Sequence, residues 1–591
     1  MVTTALGKNT TPNIHSSGMI KRPKILIAYP NLPMMFSPSI AVGLFNQILI
    51  EEGCDVELIE TAEYSDLHMN RHVRLSKMGA NRGIVKTRSE DDYWWIKPEN
   101  EIVPDFVAMV DSFKPDLVLM HVQEDIFNQS KAMLEAIEGR GIEHLVGGVF
   151  AIADPDCVLE ADCVKRLCRY EAENTLRDAI NALKTGRSLD TVVGTWYKNS
   201  EGKIVKNRPA PLANMAAVSP NFSIYADKGV GKRWARTMGG IHYNTSISME
   251  TYRGCPYNCT FCNSPHTRDV AKNVLDIGNF VRRKSIDQVE RELVGLIEDW
   301  DVEFVTMADD SFLARPAKEI FAFAKMWEKY KIPFWMNTRV ENCKPEYLQA
   351  MKEAGLYRFN MGIESGNEEY RREILKRPVS NETYYEYFDY VNKSDIPYGL
   401  NVIIGMPFET RQHVLDTAKM LKAVGGWDGL TISGFQPYRG TELREMALKA
   451  GFIPPEYINQ GGLLGDDGEW STLRMPEPYL QHQEIKGLIR TVPLYAFYKE
   501  EYWGEVKLAE TDDDKYNELL EDYKEVYYTG EFQTGGDTRK NDLKRQQNYC
   551  HKHDISSTYI WEQLEADNQA IISNEGLAMA PPKRRVMNVH D

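Results

Sequence analysis

Three cysteines, Cys255, Cys259 and Cys262, fall within eight residues of one another in the segment RGCPYNCTFCNSP at 253–265. Thiolates are soft ligands that select iron–sulfur clusters, zinc or copper(I), and three of them on one loop can share a metal centre. Four ligands would ordinarily close a structural zinc site or an electron-transfer cluster. No fourth cysteine lies nearby. A cubane held by three protein ligands leaves one iron open, and an open position on a metal is where chemistry happens. The alternative is a zinc knuckle completed by His266 or by a distant ligand. Cys157, Cys163 and Cys168 cross a predicted helix-to-strand region with a spacing that matches no cluster motif, and isolated cysteines behave as small buried hydrophobes. The nine cysteines are odd in number and unevenly spread along 591 residues, which is no disulfide framework, so reduced thiols are expected.

The cysteine loop follows an apolar run, NTSISMETYR at 244–253, and five similar runs come after it: VEFVTMADD, PFWMNTRV, YRFNMGIES, YGLNVIIGMP and GLTISGFQP, the last ending at residue 437. Helical patterns separate them. Six successive βα units predict a (β/α)6 partial TIM-type barrel over 244–464, with chemistry at the carboxyl ends of its strands. An earlier alternating series, KILIAY, DVELIE, DLVLMH and HLVGG, has the Val-, Ile- and Leu-rich runs of fully buried parallel strands. It predicts a Rossmann-like, doubly wound α/β domain over 21–207, after a disordered N-terminus at 1–20. Residues 65–100 interrupt this alternation with a polar, aromatic insert that reads as a lid or docking loop. The segment 191–207 reads as a hairpin turning at Asn199 to Gly202, and 208–243 as a linker. Residues 465–591 read as a mainly helical region with a polar tail. The aromatic stretches at 91–95, 384–390 and 495–503 suit either a channel lining or the core, and aromatic stripes at helical spacing more often belong to the core.

The loop resembles the CxxxCxxC motif of the radical S-adenosylmethionine (SAM) superfamily, with Phe261 as the aromatic residue before the last cysteine. MADDSF at 307–312, MGIESGNE at 361–368, IIGMPFET at 403–410 and FQPYRGTEL at 435–443 resemble, in order, the later strand ends of that family. The resemblance implies a 4Fe-4S cluster on Cys255, Cys259 and Cys262 whose open iron binds SAM and cleaves it reductively to a 5'-deoxyadenosyl radical. It places Asp309 and Asp310 near the SAM amino group, Arg339 near the carboxylate, Glu364 and Ser365 near the ribose, and the Gly405 to Glu409 turn against the adenosyl moiety. VGGVFAIADPDCVLE at 146–160 and YEAENTLRDAINALKTG at 170–186 resemble radical SAM proteins with an N-terminal cobalamin-binding domain. Gly147 and Gly148 would then let backbone approach the macrocycle. No Asp-x-His-x-x-Gly is present, so no lower axial histidine is matched, and His121, Val122 and Gln123 occupy the place where a serine is usual, with His121 able to face the cobalt. The implied function is cobalamin-dependent methylation of an unactivated carbon in a small molecule or peptide, with an electron donor such as flavodoxin or ferredoxin. A radical SAM cyclase, rearrangement or oxidation enzyme without methyl transfer, and a non-catalytic metal-binding scaffold, are the alternatives. The resemblance assigns no catalytic residue beyond these cofactor ligands.

The bulk composition fits this reading. The chain has 86 acidic and 70 basic side chains, a formal charge of -16, and such a field repels phosphate backbones, so nucleic acid is not an expected partner. No apolar run reaches membrane-spanning length and residues 1–20 are polar, so a cytoplasmic location is expected.

Overall fold

A computed structural model describes residues 22–32, 37–64, 97–226, 246–427, 429–459 and 471–520. The expected disordered N-terminus, most of the insert at 65–100, part of the linker and the polar tail lie outside the described residues.

β1 (Lys24–Tyr29), β2 (Asp55–Glu60), β3 (Leu117–His121), β4 (Glu143–Gly147) and β5 (Arg166–Cys168) run parallel. β6 (Thr195–Lys198) and β7 (Ile204–Lys206) extend the sheet antiparallel, giving the order β2-β1-β3-β4-β5-β6-β7. The order reverses between β1 and β3, the switch point at which doubly wound sheets bind ligands. Successive strand side chains face opposite ways. Ile25 and Ile27 therefore enter one core while Leu26 and Ala28 enter another on the far face. The hairpin turn falls where Asn199 and Gly202 predict it, with the Gly202 N–H donating to the Asn199 carbonyl.

The second sheet contains β8 (Ser246–Met249), then β11 (Phe304–Met307), β12 (Phe334–Thr338), β13 (Leu356–Glu364), β14 (Tyr398–Ile404) and β15 (Gly429–Gly434), all parallel, in the order β15-β14-β13-β12-β11-β8. Each strand pairs with its predecessor, as in a barrel, but the sheet does not close. The first expected strand is shorter than its apolar run. It stops at Met249 because Asp309 takes the backbone N–H groups of Thr251 and Tyr252. The chain resumes as β9 (Tyr252–Arg253), antiparallel to β10 (Arg282–Arg283). The connecting helices are amphipathic: helix Ile286–Trp300 is capped by the Ser285 side chain and buries Val289, Leu293, Leu296 and Trp300 on one face.

Helix His482–Phe497 lies against helix Arg411–Val424 and against β14 and β15, covering the open edge of the second sheet. Its Ile485, Leu488, Ile489 and Val492 are fully buried. Tyr384, Phe388 and Tyr495 are core residues as well, so these aromatic stretches build packing rather than a channel. One continuous apolar core joins the inner face of the first sheet to the second. Among the described residues no helix is long and apolar enough to cross a membrane.

Candidate active site at the junction of the two sheets

The cysteine loop leaves β9 at Gly254, where φ is +86° and a Cβ would strike the Phe280 ring at 2.7 Å. Several side chains then fix its course. Arg268, on helix Asn263–Asp269, donates to the carbonyls of Cys255 and Tyr257 and to Asn258 Oδ1. Thr260 donates to the Ile374 carbonyl at 2.8 Å and its own carbonyl accepts from Leu443 N–H. Cys262 caps the helix, its sulfur accepting from Ser264 N–H at 3.4 Å.

Cys255 and Cys262 feel the neighbouring sulfurs and Asp310. Burial pushes Cys255 up to about 11 and Cys262 up to about 12, and Asp310 and the neighbouring sulfurs add to the rise. The Cys255 and Cys262 thiols are therefore protonated at neutral pH, and a metal must displace those protons, as it does for any thiolate ligand. Among the described residues no three His, Cys, Asp or Glu side chains converge on a single ion position. His266 points elsewhere: its ring is set against the Ile152 and Ala153 backbone and packs where a Cβ on Gly440 would stand.

A cavity of about 620 Å³ runs from the carboxyl ends of β1, β3 and β4 to this loop. Ile27, Leu44, Phe45 and Leu119 form its apolar end, together with His121, Gly147 and Gly148; Cys262, Ser264 and Asp310 line the other. The His121 ring stacks on Tyr29, with centroids 4.3 Å apart and planes 15° apart, and burial lowers it to about 4, so the imidazole is neutral. Gly148 has φ +133°, and a Cβ there would meet the Val122 carbonyl oxygen at 2.2 Å. Asp310 accepts from Ser264 Oγ at 2.8 Å, and burial, with Asp309 and Glu250 nearby, raises its carboxyl. A second cavity, about 430 Å³, opens beside the same loop between Phe261, Cys262, Ile403, Ser433 and Gln436.

Other expected ligands are engaged within the protein. Asp309 is buried; its Oδ1 accepts from Thr251 and Tyr252 N–H, and its Oδ2 from Thr251 Oγ1 and Arg315. It ends β8 and orients the loop instead of facing a ligand. Arg339 is paired with Glu341 and donates to Cys259 Sγ at 3.4 Å, so its fork is not free for a carboxylate. Glu364, at φ +62°, is bound to buried Arg377 at 3.2 Å, and Ser365 is fully buried. Glu409 closes the turn from within: Oε2 accepts from Gly405 and Met406 N–H at 2.6 and 3.2 Å, and Gly405 has φ +85°.

Sequence reading missed the clasp between the halves. Arg253, two residues before Cys255, is gripped by Glu171, Glu173 and Glu250, while Arg282 also reaches Glu171. Tyr170 donates to the Thr267 carbonyl at 2.7 Å. The charged residues of YEAEN were the available signal, since carboxylates at a strand end next to a buried arginine are rarely idle.

Residues 249–421 match the model of the Radical SAM superfamily. That segment, which carries the cysteine loop, is a radical SAM domain. An uncharacterized methyltransferase of Pyrococcus horikoshii is 28% identical over 355 residues, covering 58% of this chain and 72% of the relative. Cytidylyl-2-hydroxyethylphosphonate methyltransferase of Streptomyces wedmorensis is 23% identical over 392 residues, covering 60% and 70%. The cobalamin-dependent S-adenosylmethionine radical enzyme OxsB, solved with aqua-cobalamin and S-adenosylmethionine bound, superposes with a TM-score of 0.56 at 15% identity, over 95% of this chain and 80% of that one. At that identity the likeness concerns the fold. The protein is thus a radical SAM enzyme related to methyltransferases, and the superfamily's cysteine loop implies a 4Fe-4S cluster and SAM.

Proposed function

We propose that this radical SAM enzyme is a cobalamin-dependent methyltransferase acting on an unactivated carbon of a small molecule or peptide. The observation that carries the reading is the single cavity that joins the switch point of the first sheet to Cys262 and Asp310. Its apolar walls and the bare backbone at Gly147 and Gly148 suit a broad, flat macrocycle, and its far end borders the cluster loop. When bound, the cluster delivers an electron that cleaves SAM and the corrinoid carries the methyl group. The chain's own residues hold and orient. Cys255, Cys259 and Cys262 would ligate the cluster, Cys259 from a buried position and the other two from half-buried ones. Asp310, open to the cavity and without a cation, is suited to an ammonium. His121 presents a neutral ring at the apolar end. An external one-electron donor of flavodoxin or ferredoxin type completes the system.

Two measurements test this. The ultraviolet-visible spectrum of anaerobically purified protein should carry both cluster and corrinoid bands, and Cys255→Ala, Cys259→Ala and Cys262→Ala should each remove the cluster bands. Under turnover, S-adenosylhomocysteine and 5'-deoxyadenosine should both accumulate. Deoxyadenosine without S-adenosylhomocysteine would exclude methyl transfer and leave radical rearrangement, cyclisation or oxidation.

A further inference from the structure

Opposite charges surround the cysteine loop. Asp310 bears on Cys255 and Cys262, and Arg339 bears on Cys255 as well. The hydrogen bond from Arg339 goes to Cys259. Arg339 Nη1 donates to its sulfur at 3.4 Å, and both residues are buried, 7% and 9% exposed. The guanidinium lies 3.8 Å over the Tyr257 ring, whose hydroxyl is anchored on Asn342 Oδ1 at 2.7 Å. Nη2 pairs with Glu341, which stops the fork from rotating away. Buried Arg377, paired with Glu364, is a second guanidinium that interacts with Cys259. Aromatic stacking, an ion pair and a hydrogen bond to sulfur together fix this one cation, although its pairing with Glu341 keeps it from acting as an open anion site.

We infer that Arg339 is a positioning residue for electron entry: its N–H···S contact with Cys259 raises the reduction potential of the cluster. The inference rests on the reading that the loop holds a 4Fe-4S cluster. Reduction adds one electron from an external one-electron donor to the oxidised cluster and moves no proton. The added negative charge spreads over the irons and sulfurs, so a donor and a positive charge at one sulfur stabilise the reduced form more than the oxidised form. Burial keeps the local dielectric low and makes the effect large. Glu341 opposes it, because its carboxylate offsets part of the arginine's charge.

The two residues therefore have opposed signatures. The experiment is an electron-paramagnetic-resonance titration of reconstituted full-length protein against viologen dyes, with iron content measured for Arg339→Gln, Arg339→Lys and Glu341→Gln. At the parent's midpoint, Arg339→Gln should lower the reduced-to-oxidised ratio about tenfold, which is about 59 mV for a one-electron couple. Arg339→Lys should fall between, keeping the charge but losing the fork. Glu341→Gln should move the ratio the other way. An unchanged ratio in iron-replete Arg339→Gln, or a shift of the same sign in Arg339→Gln and Glu341→Gln, would overturn the inference. If Arg339→Gln fails to hold iron, the opposed shifts of Arg339→Lys and Glu341→Gln decide it; loss of iron in all three marks the pair as structural and also overturns it. The parent's own cluster spectrum, recorded first, tests the cluster reading separately.

Discussion

His144 takes a hydrogen bond from Lys165 N–H at Nε2, 2.9 Å away, which requires a neutral ring. Burial, with Arg166, Lys165 and Lys198 around it, lowers the group to about 4. The folded value lies below the ordinary one of about 6.5, so its stabilising contribution is complete above that pH and is lost as pH falls towards 4. Urea unfolding of the parent should weaken more steeply between these limits than that of His144→Gln, by up to about 1.4 kcal/mol per pH unit for one proton; parallel curves would refute this. Glu409 behaves in the opposite sense. Burial raises it to about 8 despite the Gly405 and Met406 N–H donors, so the stability it favours is present below about pH 4.3 and lost as pH rises through 8. Glu409→Gln keeps the acceptor and should flatten the alkaline side of the same profile. A carboxylate in a motif reads as a ligand; only packing reveals that Glu409 and Asp309 hold their own backbone.

Strands and the loops that leave them decide which residues reach the cavity. The six barrel strands and four of the five parallel strands of the first sheet were legible, because buried parallel strands are apolar runs with little to confuse them. The short β5, RLC, had no run long enough to stand out, and the two-residue ladder of β9 and β10 had no pattern at all. The three cysteines were equally legible, since ligand spacing is local. Arg268, Glu171 and Arg253 were not, since their partners lie far off in sequence. Gly148 shows what an element end requires. Its φ of +133° is a region that L side chains avoid, and a Cβ would drive into the Val122 carbonyl. Gly148→Ala should destabilise by about 2 kcal/mol or more and shift the β4 end. Corrinoid retained per protein, measured against the melting temperature, would show whether the cavity suffers beyond stability; a variant matching the parent in both would contradict the geometry.

At the level of the molecule, the loop after β15 is fastened to the turn after β3. Buried Glu124 accepts from Arg439 N–H at 2.8 Å and Asn459 N–H at 2.9 Å, while Arg439 pairs with Asp154 and Tyr438 donates to Asp125. Removing the carboxylate in Glu124→Ala takes this acceptor from the Arg439 and Asn459 N–H groups, at about 1–3 kcal/mol each. The denaturation midpoint should drop accordingly, and amide exchange should quicken at 437–441 and 457–459 ahead of the rest; uniform exchange would show that the fastening is not local. The Arg253 clasp has a consequence in time. Glu171 and Glu173 leave the ribosome some eighty residues before Arg253 and Cys255, and nascent domains generally fold in the order of their synthesis. Two of the three carboxylates that hold Arg253 are thus in place well before the cysteines emerge, while Arg268 and the Ile374 and Leu443 contacts complete the frame only later in synthesis.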